Sequence, residues 1–178
     1  MKDRITLPTC VGCPHYLCFE ERLPKKQYGV LMKPGERYCL GQKRAMHFKP
    51  KDPKRRPPAW CPKRKSPCEV RIYAFKSTED WYLHEMLCRD LGKDLMPEAS
   101  RYYVEQELTI DMTPKQFWES LEEKLLSELL PITVYEHSVI EIDDGIKPVC
   151  FYKAGDGLQI IPYFDTARAQ ANKQEERS

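Results

Sequence analysis

Residues 10–18 read CVGCPHYLC, three cysteines and a histidine within nine positions. How these thiols are used decides how the first third of the chain can fold. Three uses compete: a disulfide framework, a redox pair and a metal site. A secreted, disulfide-built domain carries a leader with an apolar core, and the start MKDRITLPTC has none. No stretch approaches the roughly 18 apolar residues that span a bilayer. The expected location is therefore cytoplasmic, where glutathione and thioredoxin keep thiols reduced. A redox C-x-x-C sits at a helix start in a βαβ setting, and nothing around Cys10 has that pattern. Metal binding remains.

Working outward, six of the eight cysteines fall in the first 68 residues, with the spacing C-x2-C-x4-C-x20-C-x21-C-x6-C. A C-x2-C turn aims two sulfurs at one cation, and zinc needs four such donors in a tetrahedron. Cys10 and Cys13 form the first pair. Cys39 and Cys61 complete the expected tetrad, with Cys68 as the closest substitute; all three lie beside glycine or proline, which tolerate tight turns around a metal. Cys18 and His15 are further metal candidates, replacing a ligand or helping to build a second site together with His47. Zinc is the expected cofactor. An iron–sulfur cluster is the chemical alternative, since four cysteines with one close pair suit either centre. In zinc modules of this kind every position is filled by protein, so the metal folds the chain and performs no chemistry.

The need for a metal follows from composition. Residues 1–70 are dense in proline, lack helical or strand periodicity, and hold too few aliphatic side chains for a core of their own. Ligand binding can supply the missing folding free energy. Charge divides the chain as sharply. Met1–Arg71 contains 18 Lys and Arg against 6 Asp and Glu, whereas Ile72–Ser178 contains 11 against 21; the net charge of +2 conceals both halves. Between Lys43 and Lys65 ten cations face one acid, Asp52, and Pro50, Pro53, Pro57 and Pro58 keep the stretch extended. Cations presented along a line suit a phosphate backbone. The expected nucleic-acid contacts are Lys49, Lys51, Lys54, Arg55, Arg56, Lys63, Arg64 and Lys65, with Trp60, His47 and Phe48 placed to stack on unpaired bases.

Periodicity returns after residue 70. EVRIYAF (69–75) alternates as a strand. STEDWYLHEMLCRDLG (77–92) reads as a helix, with Ser77 or Thr78 at its N-cap, acids in the first turn and Gly92 as its stop; Leu83, Leu87 and Leu91 form the expected core stripe. PEASRYYVEQELTI (97–110) mixes both patterns, and Pro97, Glu98 and Ala99 favour helix. MTPKQFWESLEEKLLSELL (112–130) predicts one helix with a Thr113/Gln116 capping box, burying Trp118, Leu121, Leu125 and Leu129. ITVYEHSVIEI, IKPVCFYK and LQIIPYF, separated by Asp-Asp-Gly and Gly-Asp-Gly turns, predict a three-stranded antiparallel meander. The expected fold is thus α+β: a metal-stabilised irregular module at 1–70, an α+β domain at 71–166 and a polar tail at 167–178.

HEMLC (84–88) resembles the zincin helix with Cys88 replacing the second histidine. No third ligand is signalled and the stripe of leucines flanks it, so Cys88 reads as a small apolar residue. Phosphate-cradling loops, nucleophile elbows and kinase signatures are absent, and only eight glycines are present. No small-molecule substrate or membrane partner is indicated. The expected role is a zinc-binding, nucleic-acid-associated accessory or regulatory factor, contacting DNA or RNA, rather than an enzyme. Two readings compete with it. One is a protein-interaction adaptor or inhibitor whose acidic helices meet a basic protein; the other is a metal-dependent nuclease or iron–sulfur protein.

Overall fold

In the computed structural model, which describes residues 10–53, 57–155 and 157–172, the chain forms two compact units. One lies within Thr6–Arg64 and the other within Lys65–Ser178. Lys54, Arg55 and Arg56 of the expected basic strip lie outside the described residues.

The first unit, the head, is built from short antiparallel strands. A 3-10 turn at Cys10–Gly12 leads into β1 (Tyr16–Cys18); a hairpin follows, β2 (Lys25–Gln27) against β3 (Val30–Met32), then β4 (Arg37–Cys39) and β5 (Met46–His47). β4 lies between β1 and β5. The β2–β3 hairpin turns through Tyr28 and Gly29, both with positive φ (47° and 76°). That is the backbone twist a two-residue hairpin requires, and glycine adopts it without a Cβ penalty. The apolar centres are small. Phe19, Met32, Tyr38 and Ala45 form one, and Cys10, Cys39 and Phe48 form the other, with Tyr16, Met46 and Trp60 against it. The stretch read as irregular therefore contains strands, each too short to carry an alternating signal.

The second unit, the body, follows one long antiparallel sheet. Its elements in order are β6 (Cys68–Phe75), α1 (Thr78–Leu91), a 3-10 turn at Ala99–Arg101, β7 (Tyr102–Ile110), α2 (Pro114–Ser120), α3 (Leu126–Leu129), β8 (Val139–Asp143), β9 (Val149–Ala154), β10 (Gly157–Ile161) and α4 (Thr166–Ala171). Strand order is β10-β9-β8-β6-β7. The expected meander is present as β8-β9-β10, and β6 extends it by pairing with β8, Ile72 opposite Ile140. The α+β class holds for the body.

One face of this sheet is dry. Val70, Ile72, Ile140, Ile142 and Phe151 point to it, and Phe117, Leu129 and Leu130 cover them from the α2–α3 side. Each such side chain taken fully from water contributes about 1.5–3 kcal/mol. The other face is mixed. Tyr73, Val139, Cys150 and Tyr152 pack with Tyr102 and with Ala169 of α4, and they share the face with charge. Glu141, 2% exposed, accepts from the Tyr73 hydroxyl, from Arg71 Nη1 at 3.4 Å and from Gln170 at 3.4 Å.

Four expectations change. Residues 102–110 form a strand, because the alternation of Tyr102, Val104, Leu108 and Ile110 finds a partner in β6; before it, helical structure is limited to the 3-10 turn at Ala99–Arg101. The helix expected over 112–130 keeps its capping box but ends at Ser120, and Leu125 emerges 71% exposed. β8 starts at Val139 rather than near Ile132, since His137 takes a positive φ of 65° that breaks the extended run. Within the tail, Thr166–Ala171 is helical, capped by the Asp165 side chain, with Ala169 buried.

Candidate metal centre

The head places cysteines on three segments: the turn at Cys10–Cys13, the end of β4 at Cys39 and the turn at Cys61. The first turn closes through Cys13 N–H donating to the Cys10 carbonyl (2.9 Å) and Tyr16 N–H to the Cys13 carbonyl (3.0 Å). Tyr16 then opens β1 directly opposite Cys39 on β4. The third arm is a turn in which Cys61 N–H donates to the Pro58 carbonyl (3.1 Å) and Arg64 N–H to the Cys61 carbonyl (3.0 Å). Arg64 locks this arm, since its guanidinium donates to the carbonyls of Pro57 (3.0 Å) and Pro58 (3.1 Å). Trp60 locks it again, packing edge-on against Phe48 and donating to Asp52 (3.2 Å). Asp52, the single acid of the basic stretch, also accepts from Lys49 N–H at 2.7 Å.

The electrostatics report the convergence. Burial pushes the Cys10 thiol up, and the neighbouring Cys61, Cys13 and Cys39 push it further, with the Arg37 guanidinium opposing. Cys61, Cys13 and Cys39 each lie near enough to Cys10 to disfavour its negative charge, an effect that a cation bound beside them would reverse. His15 borders the same corner: a Cβ built on Gly41 would lie 3.5 Å from Cys39 Sγ, 3.5 Å from His15 Cγ and 3.1 Å from Pro62 Cγ. The tight contact is with Pro62, so glycine lets this loop pack closely on Pro62, with Cys39 and His15 at ordinary contact distance. Among the described residues no three His, Cys, Asp or Glu side chains are gathered tightly enough to hold an ion as they stand. The donor chemistry fits zinc, which favours thiolate sulfur and imidazole nitrogen.

The remaining candidates lie elsewhere. Cys18 is exposed at the end of β1, opposite Arg37. Cys68 opens β6 in the body, buried among Val70, Ile72 and Ile110, with its thiol 3.7 Å from the Lys65 carbonyl. Lys49, Lys51 and Lys63 are exposed. Lys65 belongs to the body, where it bridges Glu69 (2.7 Å) and Asp143 (2.8 Å). Phe48 is buried and Trp60 is engaged, so in this arrangement both serve as struts of the cysteine arm.

The body holds a second polar cluster that sequence reasoning passed over. His84 on α1 and His137 before β8 are both buried, and both hydrogen-bond the Tyr152 hydroxyl, through Nε2 at 2.8 Å and Nδ1 at 2.7 Å. His137 Nε2 reaches Glu85 Oε2 at 2.7 Å, and the Tyr102 hydroxyl donates to the His137 carbonyl at 2.9 Å. Burial, then the nearby His137 and Arg101, hold His84 down to about 4. The hydrogen bond from His137, then that from Arg89, hold Glu85 below the ordinary carboxylate range. Tyr152 is pushed up by burial. HEMLC was the visible signal, but its partners stand 50 and more residues away in sequence. Searches of protein-family models, of curated proteins and of solved structures give no match to this chain.

Proposed function

We propose that the head is a zinc-folded module and that the protein is a nucleic-acid-associated accessory factor. Cys10, Cys13, Cys39 and Cys61 would hold the metal, with His15 beside them. The observation that carries this reading is that Cys10 and Cys39 are buried together with Phe48 in one small centre, with Cys13 in the turn that starts at Cys10 and Cys61 near enough to add to the effect of burial on the Cys10 thiol. Coordination would draw those sulfurs inward and neutralise their repulsion. Two small apolar centres of four and three buried residues support a head that needs such a clamp. The metal's part is structural.

Nucleic-acid contact rests on charge. Lys49, Lys51 and Lys63 stand exposed beside the arm that Arg64 and Trp60 brace, and Lys43 and Arg44 are exposed before it. Lysines serve as point charges to phosphate, so binding should be salt-dependent and weakly selective for sequence. The test is polarisation of labelled DNA and RNA oligonucleotides over a salt series, with the full chain and with Lys49→Glu/Lys51→Glu/Lys63→Glu. Affinity that falls with salt, and a slope on log salt that flattens by about 2–3 in the variant, supports the reading. Affinity indifferent to salt or to the three lysines removes it.

A further inference from the structure

The sequence assigns base stacking to Trp60, His47 and Phe48, and each of the three is engaged within the head. Phe48 is buried, and Trp60 packs on Phe48 and donates to Asp52. His47 lies against the Tyr38 ring, centroids 5.2 Å apart, and reaches Glu36 at 3.4 Å. The aromatic side chain that the head does present is Tyr28, 57% exposed. It stands at the tip of the β2–β3 hairpin with a φ of 47°, a position that suits asparagine or glycine. A bulky ring there is conformationally unfavourable, and one so exposed gains little from packing.

The surroundings of this ring are cationic. Arg44 lies across the turn: a Cβ built on Gly29 would stand 3.2 Å from Arg44 Cγ, and Ala45 N–H donates to the Tyr28 carbonyl at 2.9 Å. Next along the hairpin, Lys26 and Leu31 are opposite each other and exposed, whereas Met32, opposite Lys25, is buried. Lys43 is exposed beside Arg44. The described head has four acids to set against these cations. Glu21 pairs with Lys25 at 3.1 Å, Glu36 with Tyr38 and His47, and Asp52 with Lys49 N–H and Trp60. Glu20 adjoins the open end of the hairpin, where the Phe19 carbonyl accepts from Gly35 N–H at 2.8 Å, at the opposite end from Tyr28. Among the described residues none of the four pairs with Lys26, Lys43 or Arg44. An exposed ring set among such cations fits a base between its own phosphates. An acidic peptide would meet the cations but give the ring no flat partner, and a duplex keeps its base faces inside the stack. We infer that Tyr28 and Arg44 receive an unpaired base of single-stranded RNA or DNA, with Lys26 and Lys43 on the flanking phosphates. The inference rests on the nucleic-acid reading above and narrows it to single strands.

The test is polarisation with the full chain and four labelled probes. These are a strand of about ten nucleotides as RNA and as DNA, the DNA strand paired to its complement, and a DNA strand of equal charge with abasic sites. Tyr28→Asn removes the ring and suits the turn, so head amide resonances outside residues 26–31 should stay in place. It should weaken strand binding at least about fivefold, to the level of the abasic strand, and leave duplex affinity and the salt slope unchanged. Tyr28→Trp should bind the strand at least as tightly as wild type. Lys26→Gln/Arg44→Gln should flatten the slope on log salt by about 1. Strand affinity untouched by Tyr28→Asn, or equal losses on strand and duplex, would overturn the inference and leave salt-dependent nucleic-acid binding in place. Binding to none of the probes would remove both. Capture of phosphatidylserine vesicles in place of strands, lost in Tyr28→Asn, would also overturn it.

Discussion

Acidification should loosen the body through His84, and the size of the effect follows from its surroundings. The imidazole is 6% exposed and held down to about 4, against an unfolded value of 6.5. Between those values the unfolded chain binds the proton and the folded chain does not, so stability falls as pH drops. At 1.36 kcal/mol for each unit of separation, the loss from pH 7 to pH 4 comes to about 3 kcal/mol, of which about 2 is gone by pH 5. Glu85, held low by His137, contributes in the same direction at the acidic end: its stabilisation is present above the unfolded carboxylate value and is lost as pH falls through the folded one. The comparison is between wild type and His84→Gln, unfolded in urea at a series of pH values and followed by amide signals of β8 and β9. Taking the difference at each pH cancels any contribution from thiols or metal in the head. Glutamine can still hydrogen-bond Tyr152 but does not titrate, so the stability gap should close by about 3 kcal/mol between pH 7 and pH 4. A gap that stays constant across this range would refute the assignment of acid sensitivity to His84.

Three further outcomes are expected. In native protein at pH 8 a thiol reagent should modify exposed Cys18 first and spare Cys150, whose thiol is pushed up to about 12 by burial and by Glu141; mass mapping after partial labelling checks the order. Arg71→Met strips a cation from buried Glu141 and should cost about 3 kcal/mol in urea, with Glu141→Gln recovering part in the double variant. Gly41→Val crowds Pro62, Cys39 and His15 and should release metal at lower chelator concentration, while Gly12→Ala, where a Cβ meets nothing within 4 Å, should not.

Much of the body is legible from local pattern. Ser77 and Gly92 mark the ends of α1 as read: the Ser77 hydroxyl accepts from Asp80 N–H at 3.1 Å, and Gly92 is left-handed at φ 61°. The Asp-Asp-Gly and Gly-Asp-Gly turns and the β6 alternation are equally local. Leu129, read as buried, is so, with Trp118 and Leu121 packed against the same core, but the facing of α1 and the identity of 102–110 depend on distant partners and were misread. Leu83, Leu87 and Leu91 outvote His84 and Cys88 on any hydrophobic scale, yet Tyr152 and His137 reverse the helix by satisfying a buried imidazole, and the three leucines are exposed. Tyr102–Ile110 could be either element until β6 offers hydrogen bonds. In the head, strands of two or three residues carry no period at all.

The most direct measurement is metal content of the full chain purified without oxygen, with amide spectra of residues 10–64 recorded before and after chelation. About one zinc per chain, no visible colour, and collapse of the head's dispersed resonances on chelation, with those of β6–β10 unchanged, are the predicted results. A metal-free chain whose head keeps its dispersion, or iron with absorption near 400 nm, would contradict the zinc clamp.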